Sequence, residues 1–171
     1  GLIKSSVGQA NSWPGDSVYG SGGSYGYAPN GQKVTNSSYS AYGTAHTNGD
    51  VVGVAYDADN GKLFFSRNGT WQASGDPAAG TNAAFTSITG EFSPGLGYWT
   101  TPTTNVNSVN FGQRPFAYTA PSSFKALCTT NLPEPTIADG STAMDVALYT
   151  GDGNSTRTIS GLGFAPDLVW L

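Results

Sequence analysis

Charged residues are scarce in this 171-residue chain, at 11% of positions against a usual fraction of about 25%. Seven Lys and Arg against eleven Asp and Glu give a net charge of −4. There is no basic surface to neutralise phosphates, which excludes nucleic acid and anionic membrane as expected partners. Histidine and cysteine occur once each, as His46 and Cys128. A lone cysteine cannot close an internal disulfide and is compatible with a reducing environment. No apolar run approaches the roughly 18 residues of a membrane-spanning helix, so no membrane insertion is expected. Ala, Leu, Glu, Lys and Arg are too sparse, and Gly too frequent, to sustain long amphipathic helices.

What is present is turn chemistry and aromatic bulk. Gly (24), Pro (10), Ser (19), Thr (19) and Asn (12) together make up 84 of the 171 residues, and these are the residues that bend and cap chains. Aromatics supply a further 12%, enough to fill a core without disulfides or metals. The composition therefore predicts an all-β protein of many short strands.

Several strands can be read locally. Ser24-Tyr25-Gly26-Tyr27 and Gln32-Lys33-Val34 are separated by the turn signal Pro29-Asn30-Gly31. Val51 to Asp57 is an apolar strand, Asp59-Asn60-Gly61 turns the chain, and Lys62 to Arg67 returns as a hairpin partner. Asn68-Gly69 then reverses the chain again before Thr70-Trp71, because both residues tolerate positive φ. Residues 72–90 read as a long, outward loop with a functional role. Phe92 to Tyr98 and Ser108-Val109-Asn110-Phe111-Gly112 are expected to resume the sheet. Leu132-Pro133-Glu134-Pro135 reads as a stiff linker. The expected organisation is a β-sandwich over 1–130, a Pro linker over 131–136, and the beginning of a second β module over 137–171. Strand candidates in that module are Asp145 to Tyr149 and Leu168 to Leu171. Gly1 to Lys4 reads as the end of a strand already under way, and Asp167 to Leu171 as one cut in mid-course. Both ends are thus expected to be edges of a fragment, with one sheet completed from the N-terminal side.

The run Gly49-Asp50-Val51-Val52-Gly53-Val54-Ala55-Tyr56-Asp57, followed by Asn60-Gly61-Lys62-Leu63-Phe64-Phe65-Ser66-Arg67-Asn68-Gly69-Thr70-Trp71, resembles the signature of SPRY domains. Ser24 to Tyr27 upstream and Val109-Asn110-Phe111-Gly112-Gln113 leading to Pro115-Phe116 downstream match in order, so the resemblance covers roughly residues 1–118. It implies a bent, concanavalin-like β-sandwich. The family's aromatic-rich opening strands have no counterpart here. A narrower resemblance is to the SPRY-like modules of bacteriophage and prophage virion proteins. It is carried by Ser74 to Asn82, by Phe111 to Tyr118, by the linker Asn131 to Ile137, and by Leu148-Tyr149-Thr150-Gly151 with Ile159 to Trp170. This implies a virion location in an appendage or on the capsid surface: tail fibre, capsid fibre or decoration.

A glycosidase needs two facing carboxylates, and the only close pair, Asp57 and Asp59, reads as the cap of a β-turn. Glu91 and Glu134 are isolated. His46 reads as a surface or half-buried loop residue, Cys128 as a small apolar strand residue, and no Ser lies in a nucleophile elbow. Asp57 to Asn68 departs from a calcium loop, with Gly fifth and a neutral twelfth residue. The sequons at Asn36, Asn68 and Asn154 are expected by chance in such a composition. The chain is thus expected to be no enzyme and to need no metal or other cofactor.

The remaining candidates are aromatic. Tyr19, Tyr25, Tyr27, Trp71, Tyr98 and Trp99 combine rigid contact area with a polar handle, which suits recognition of peptide or sugar. At least half of the chain's Tyr and Trp should instead be core, since Leu and Ile are few. The outward loops expected to carry recognition are 19–31, 72–90 and the Tyr98-Trp99 turn; packing between subunits is the competing role for them. The expected function is a non-enzymatic virion structural or attachment protein. Its partners would be other virion subunits in a homo-oligomer, with trimers favoured by the resemblance, and a host surface glycan or protein. The alternatives are a SPRY adaptor that binds peptide segments, and a glycan-binding or glycan-cleaving domain.

Overall fold

The structure is a computed structural model that describes residues 1–7, 12–97, 106–132, 136–137, 139–154, 156, 158–166 and 168–169. It divides into two compact units, Gly1–Cys128 and Thr129–Leu171.

Among the described residues eight strands, all in the first unit, make two antiparallel sheets: β1 (Leu2–Lys4), β2 (Ser24–Tyr27), β3 (Gln32–Thr35), β4 (Ser38–Ala41), β5 (Val52–Asp57), β6 (Lys62–Arg67), β7 (Thr70–Trp71) and β8 (Phe92–Pro94). One sheet runs β4-β3-β2-β1-β8 and the other β5-β6-β7. Pro94 has no N–H to give a ladder and sits at the sheet edge, where none is required. The remaining helical turns are single 3-10 turns, such as Ser17–Tyr19 and Gln72–Ser74. The expected all-β sandwich is the observed fold.

The two sheets enclose an aromatic core. Leu2, Leu63, Phe65, Ala84 and Ile88 are buried at its centre, with Tyr25, Tyr27, Tyr42, Tyr56, Phe85 and Phe92 packed around them. β6 is apolar on both faces, because Leu63, Phe64 and Phe65 have no exposed surface at all. Each such side chain contributes about 1.5–3 kcal/mol of transfer free energy. β2 is also covered on both faces: its tyrosines enter the inter-sheet core, while Ser24 and Gly26 lie against the segment around Pro14. Gly26 is obligatory there, since a Cβ would stand 2.1 Å from the Pro14 carbonyl oxygen.

The hairpin and meander follow the local signals. All of Val52 to Asp57 pairs in register with Lys62 to Arg67, and Asn68 and Gly69 adopt φ of 50° and 80° in the next reversal, the geometry of a type I′ turn. Asp57 caps its turn as expected, accepting from Asn60 N at 3.0 Å and Asn60 Nδ2 at 2.8 Å.

Three expectations are corrected. Residues 108–112 form no strand; Val109 and Phe111 stay about 40% exposed, and without a cross-strand partner an alternating pattern does not make a ladder. Residues 145–149 are likewise not a strand, nor are 168–169, while Trp170 and Leu171 lie outside the described residues. Val146 and Leu148 are 76% and 96% exposed. Finally, the 72–90 segment is an outward loop only in part: most of 73–82 is exposed, but 84–88 folds back onto the sheet. Leu63 N donates to Phe85 O at 3.0 Å and Ala84 N to Leu63 O at 2.8 Å, which continues the sheet beyond the end of β7. Ala84 and Ile88 are buried beneath that pairing.

Candidate functional site

The segment linking β4 to β5 contacts both sheets and gathers a group of polar and aromatic side chains. Tyr27 projects from the end of β2, stacks on Phe65 at 5.4 Å between centroids, meets Tyr42 edge-on at 5.8 Å, and lies 5.2 Å from the His46 ring. Its hydroxyl donates to Thr44 O. The Tyr42 hydroxyl accepts from Phe65 N at 3.3 Å. Gln72, buried next to β7, accepts from Thr44 N at 2.7 Å through Oε1 and donates from Nε2 to Thr70 O at 2.8 Å. His46 N donates to Pro29 O at 2.9 Å. The linking segment is thereby tied to both sheets, and it leaves Tyr27, Tyr42 and His46 half-buried as a rim. Burial raises both phenols and lowers the His46 imidazole, which favours its neutral form.

Next to the rim is an ion-paired turn. Asp50 Oδ2 accepts from Arg67 Nε at 2.9 Å and from Thr47 N at 2.8 Å, and Oδ1 accepts from Asn68 Nδ2 at 2.7 Å. The Arg67 guanidinium, with the Thr47 and Asn68 donors, holds the Asp50 carboxyl down to about 2. Asn68 completes the clamp: its Oδ1 accepts from Val51 N and its own N donates to Val51 O, both at 2.8 Å. Asp50 thus accepts from three donors that hold it as a carboxylate. The Arg67 side chain keeps 31% exposure. Beside the aromatic faces it offers a charged donor at the surface, an arrangement suited to contact and hydrogen bonding. Among the described residues there is no group of three or more His, Cys, Asp or Glu placed to hold a metal ion.

The sequence profile of the SPRY domain family matches residues 1–114. This chain belongs to the SPRY family. Comparison with curated proteins finds no match. The SPRY domain is thus the frame for the rim, and membership assigns the chain to a class of protein-interaction modules.

Of the six aromatics singled out from sequence, the four described ones are dispersed in this SPRY domain. Tyr19 is 4% exposed, inside the Ser17–Tyr19 turn. Tyr25 lies between Phe85 at 4.9 Å and Phe92 at 5.7 Å, within the core group. Tyr27 alone of the four described ones reaches the rim. Trp71 is half-buried on β7 opposite Ser66 and shares no ring contact with the rim among the described residues. Tyr98 and Trp99 lie outside the described residues. Sequence reasoning did not group Tyr42, His46, Asp50, Arg67 and Gln72 into one neighbourhood. Asp50 and Arg67 carried a signal, being the charges at the two ends of the family motif; Gln72 carried none.

Proposed function

We propose that this SPRY domain is a non-enzymatic structural or attachment module of a bacteriophage virion, assembled with other virion subunits as a homo-oligomer, and that its rim meets host-surface protein or glycan. The observation that carries the assembly reading is a run of uncovered apolar side chains late in the first unit. Val106 is 89% exposed, Phe111, Phe116 and Tyr118 are 41–44%, and Leu127 is 67%. Exposed apolar side chains in such number within about twenty residues favour an interaction surface, and a chain with so few charges has little else to keep copies apart. The virion setting rests on the resemblance of residues 74–82, 111–118 and 131–137 to phage modules. The absence of catalysis is inferred from Asp50 being held in its clamp and Asp57 in its turn.

The test joins two measurements. Mass-spectrometric inventory of purified particles should contain the chain at stoichiometric level, and light scattering of the purified protein should give an oligomer that a paired Phe111→Ser and Phe116→Ser change dissociates. A concentration-independent monomer refutes the assembly reading. Absence from particles refutes the virion reading and favours a peptide-binding adaptor. His46→Ala separates the roles of the rim: lost host adsorption with intact particles supports recognition, and failed assembly supports packing.

A further inference from the structure

Four Asn-Gly dipeptides occur in the chain, at Asn30-Gly31, Asn48-Gly49, Asn60-Gly61 and Asn68-Gly69. In such a pair no side chain shields the glycine nitrogen from the preceding amide carbon, and asparagine is among the chemically labile residues. All four glycines have positive φ, at 87°, 87°, 61° and 80° in chain order, and of the asparagines only Asn68 shares it, at 50°, so the backbone does not set Asn48 apart from Asn30 and Asn60. The asparagine side chains do.

Asn30 is held at both ends, its Nδ2 donating to Gln32 Oε1 at 2.7 Å and its Oδ1 accepting from Gln32 N at 3.0 Å. The Gly31 N–H is also occupied, by Ala28 O at 3.0 Å. Asn60 donates from Nδ2 to Asp57 Oδ2 at 2.8 Å. Asn68 is held by Val51 N and Asp50 Oδ1 at 2.8 and 2.7 Å. Asn48 is exposed, and among the described residues neither its side chain nor the Gly49 N–H has a hydrogen-bond partner. Apart from Gly49 and its two chain neighbours, no heavy atom lies within 4 Å of the position that a Cβ would take on Gly49.

We propose that Asn48 is a site of spontaneous deamidation whose selectivity over the other three comes from the fold. Gly49 N bonds to Asn48 Cγ and loses its proton, and the side-chain nitrogen departs as ammonia, which closes a succinimide. Water then adds to either ring carbonyl and opens it to aspartate or isoaspartate; no oxidant or reductant is involved. The position matters to the rim. Thr47 to Asp50 is a turn in which Asp50 N donates to Thr47 O at 3.1 Å and Asp50 Oδ2 accepts from Thr47 N at 2.8 Å. Conversion places a new negative charge two residues from Asp50. Isoaspartate also lengthens the backbone inside the turn that aims Asp50 at Arg67.

The test holds the purified chain in mildly alkaline buffer, with a parallel sample in concentrated urea, and follows all four sites by proteolysis and tandem mass spectrometry. In the native sample Asn48 should convert at least about tenfold faster than the other three, which must first break one or two hydrogen bonds. In urea the four rates should converge to within a few-fold. Comparable native rates overturn the proposal, and so does an Asn48 lead that persists unchanged in urea, because the selectivity would then belong to local sequence and not to the fold.

Discussion

Replacing Gln72 by Met tests whether one buried amide holds the linking segment over the rim. Methionine keeps the unbranched stem in its place but can neither accept from Thr44 N nor donate to Thr70 O, contacts of 2.7 and 2.8 Å. Each lost hydrogen bond costs about 0.5–1.5 kcal/mol net. Thr44 and Thr70 are both exposed, so water can reach the groups left behind and the cost stays within that net range, at about 2 kcal/mol for the pair. Unfolding entropy of about 2.1 cal/mol/K per residue, over the 128 residues of Gly1–Cys128, converts this to a Tm lower by about 7 °C. The matching local readout is hydrogen exchange at the Thr44 amide, which should lose protection beyond the global change. Gly43→Ala provides a second route to the same outcome, because its Cβ would fall 2.7–2.8 Å from three Gln72 side-chain atoms and displace that side chain. A Gln72→Met variant within about 0.5 kcal/mol of the parent, with Thr44 protection unchanged, would refute the reasoning that Gln72 positions the segment.

Two further perturbations probe the ion-paired turn. The Asp50 carboxyl is held at about 2 in the folded chain against about 3.9 unfolded, so its stabilising contribution is complete above about pH 4 and is lost as pH falls through about 2; NMR titration of Asp50 should show the low value, and Arg67→Gln should raise it. Gly69→Ala should destabilise by about 1–3 kcal/mol, since φ of 80° strains any Cβ-bearing residue and that Cβ would meet the Tyr118 ring at 2.6 Å; urea unfolding with no loss would show that the turn and Tyr118 relax freely.

The meander and the first sheet's inner strands were legible because their signals are local. Alternating Val, Phe and Tyr runs set strand spans, and Asn68-Gly69 and Asn60-Gly61 can adopt positive φ wherever they occur in a chain. Family membership could be read for the same reason, since its signature lies in one continuous stretch around that hairpin. The second unit and residues 108–112 show the limit of this reading, because an apolar run of strand composition pairs only where another strand edge and a covering layer meet it.

Sequence alone determined that this chain is all-β, poor in charge, turn-rich and built around a β5-β6-β7 meander. Only the tertiary structure decided which aromatics face inward. Tyr25 and Tyr27 are two residues apart on β2 and share a face, but whether that face meets solvent or a second sheet depends on Phe65, Phe85 and Phe92, residues 38 or more positions away. The 72–90 segment illustrates the same point. Its composition is that of an exposed loop, yet Lys33 Nζ donates to Ala84 O at 2.6 Å across 51 residues, and the edge of β6 beyond β7 offers Leu63 backbone groups that must be satisfied. Periodicity and turn chemistry are properties of neighbouring residues. Burial and hydrogen-bond satisfaction are properties of what the rest of the chain brings alongside.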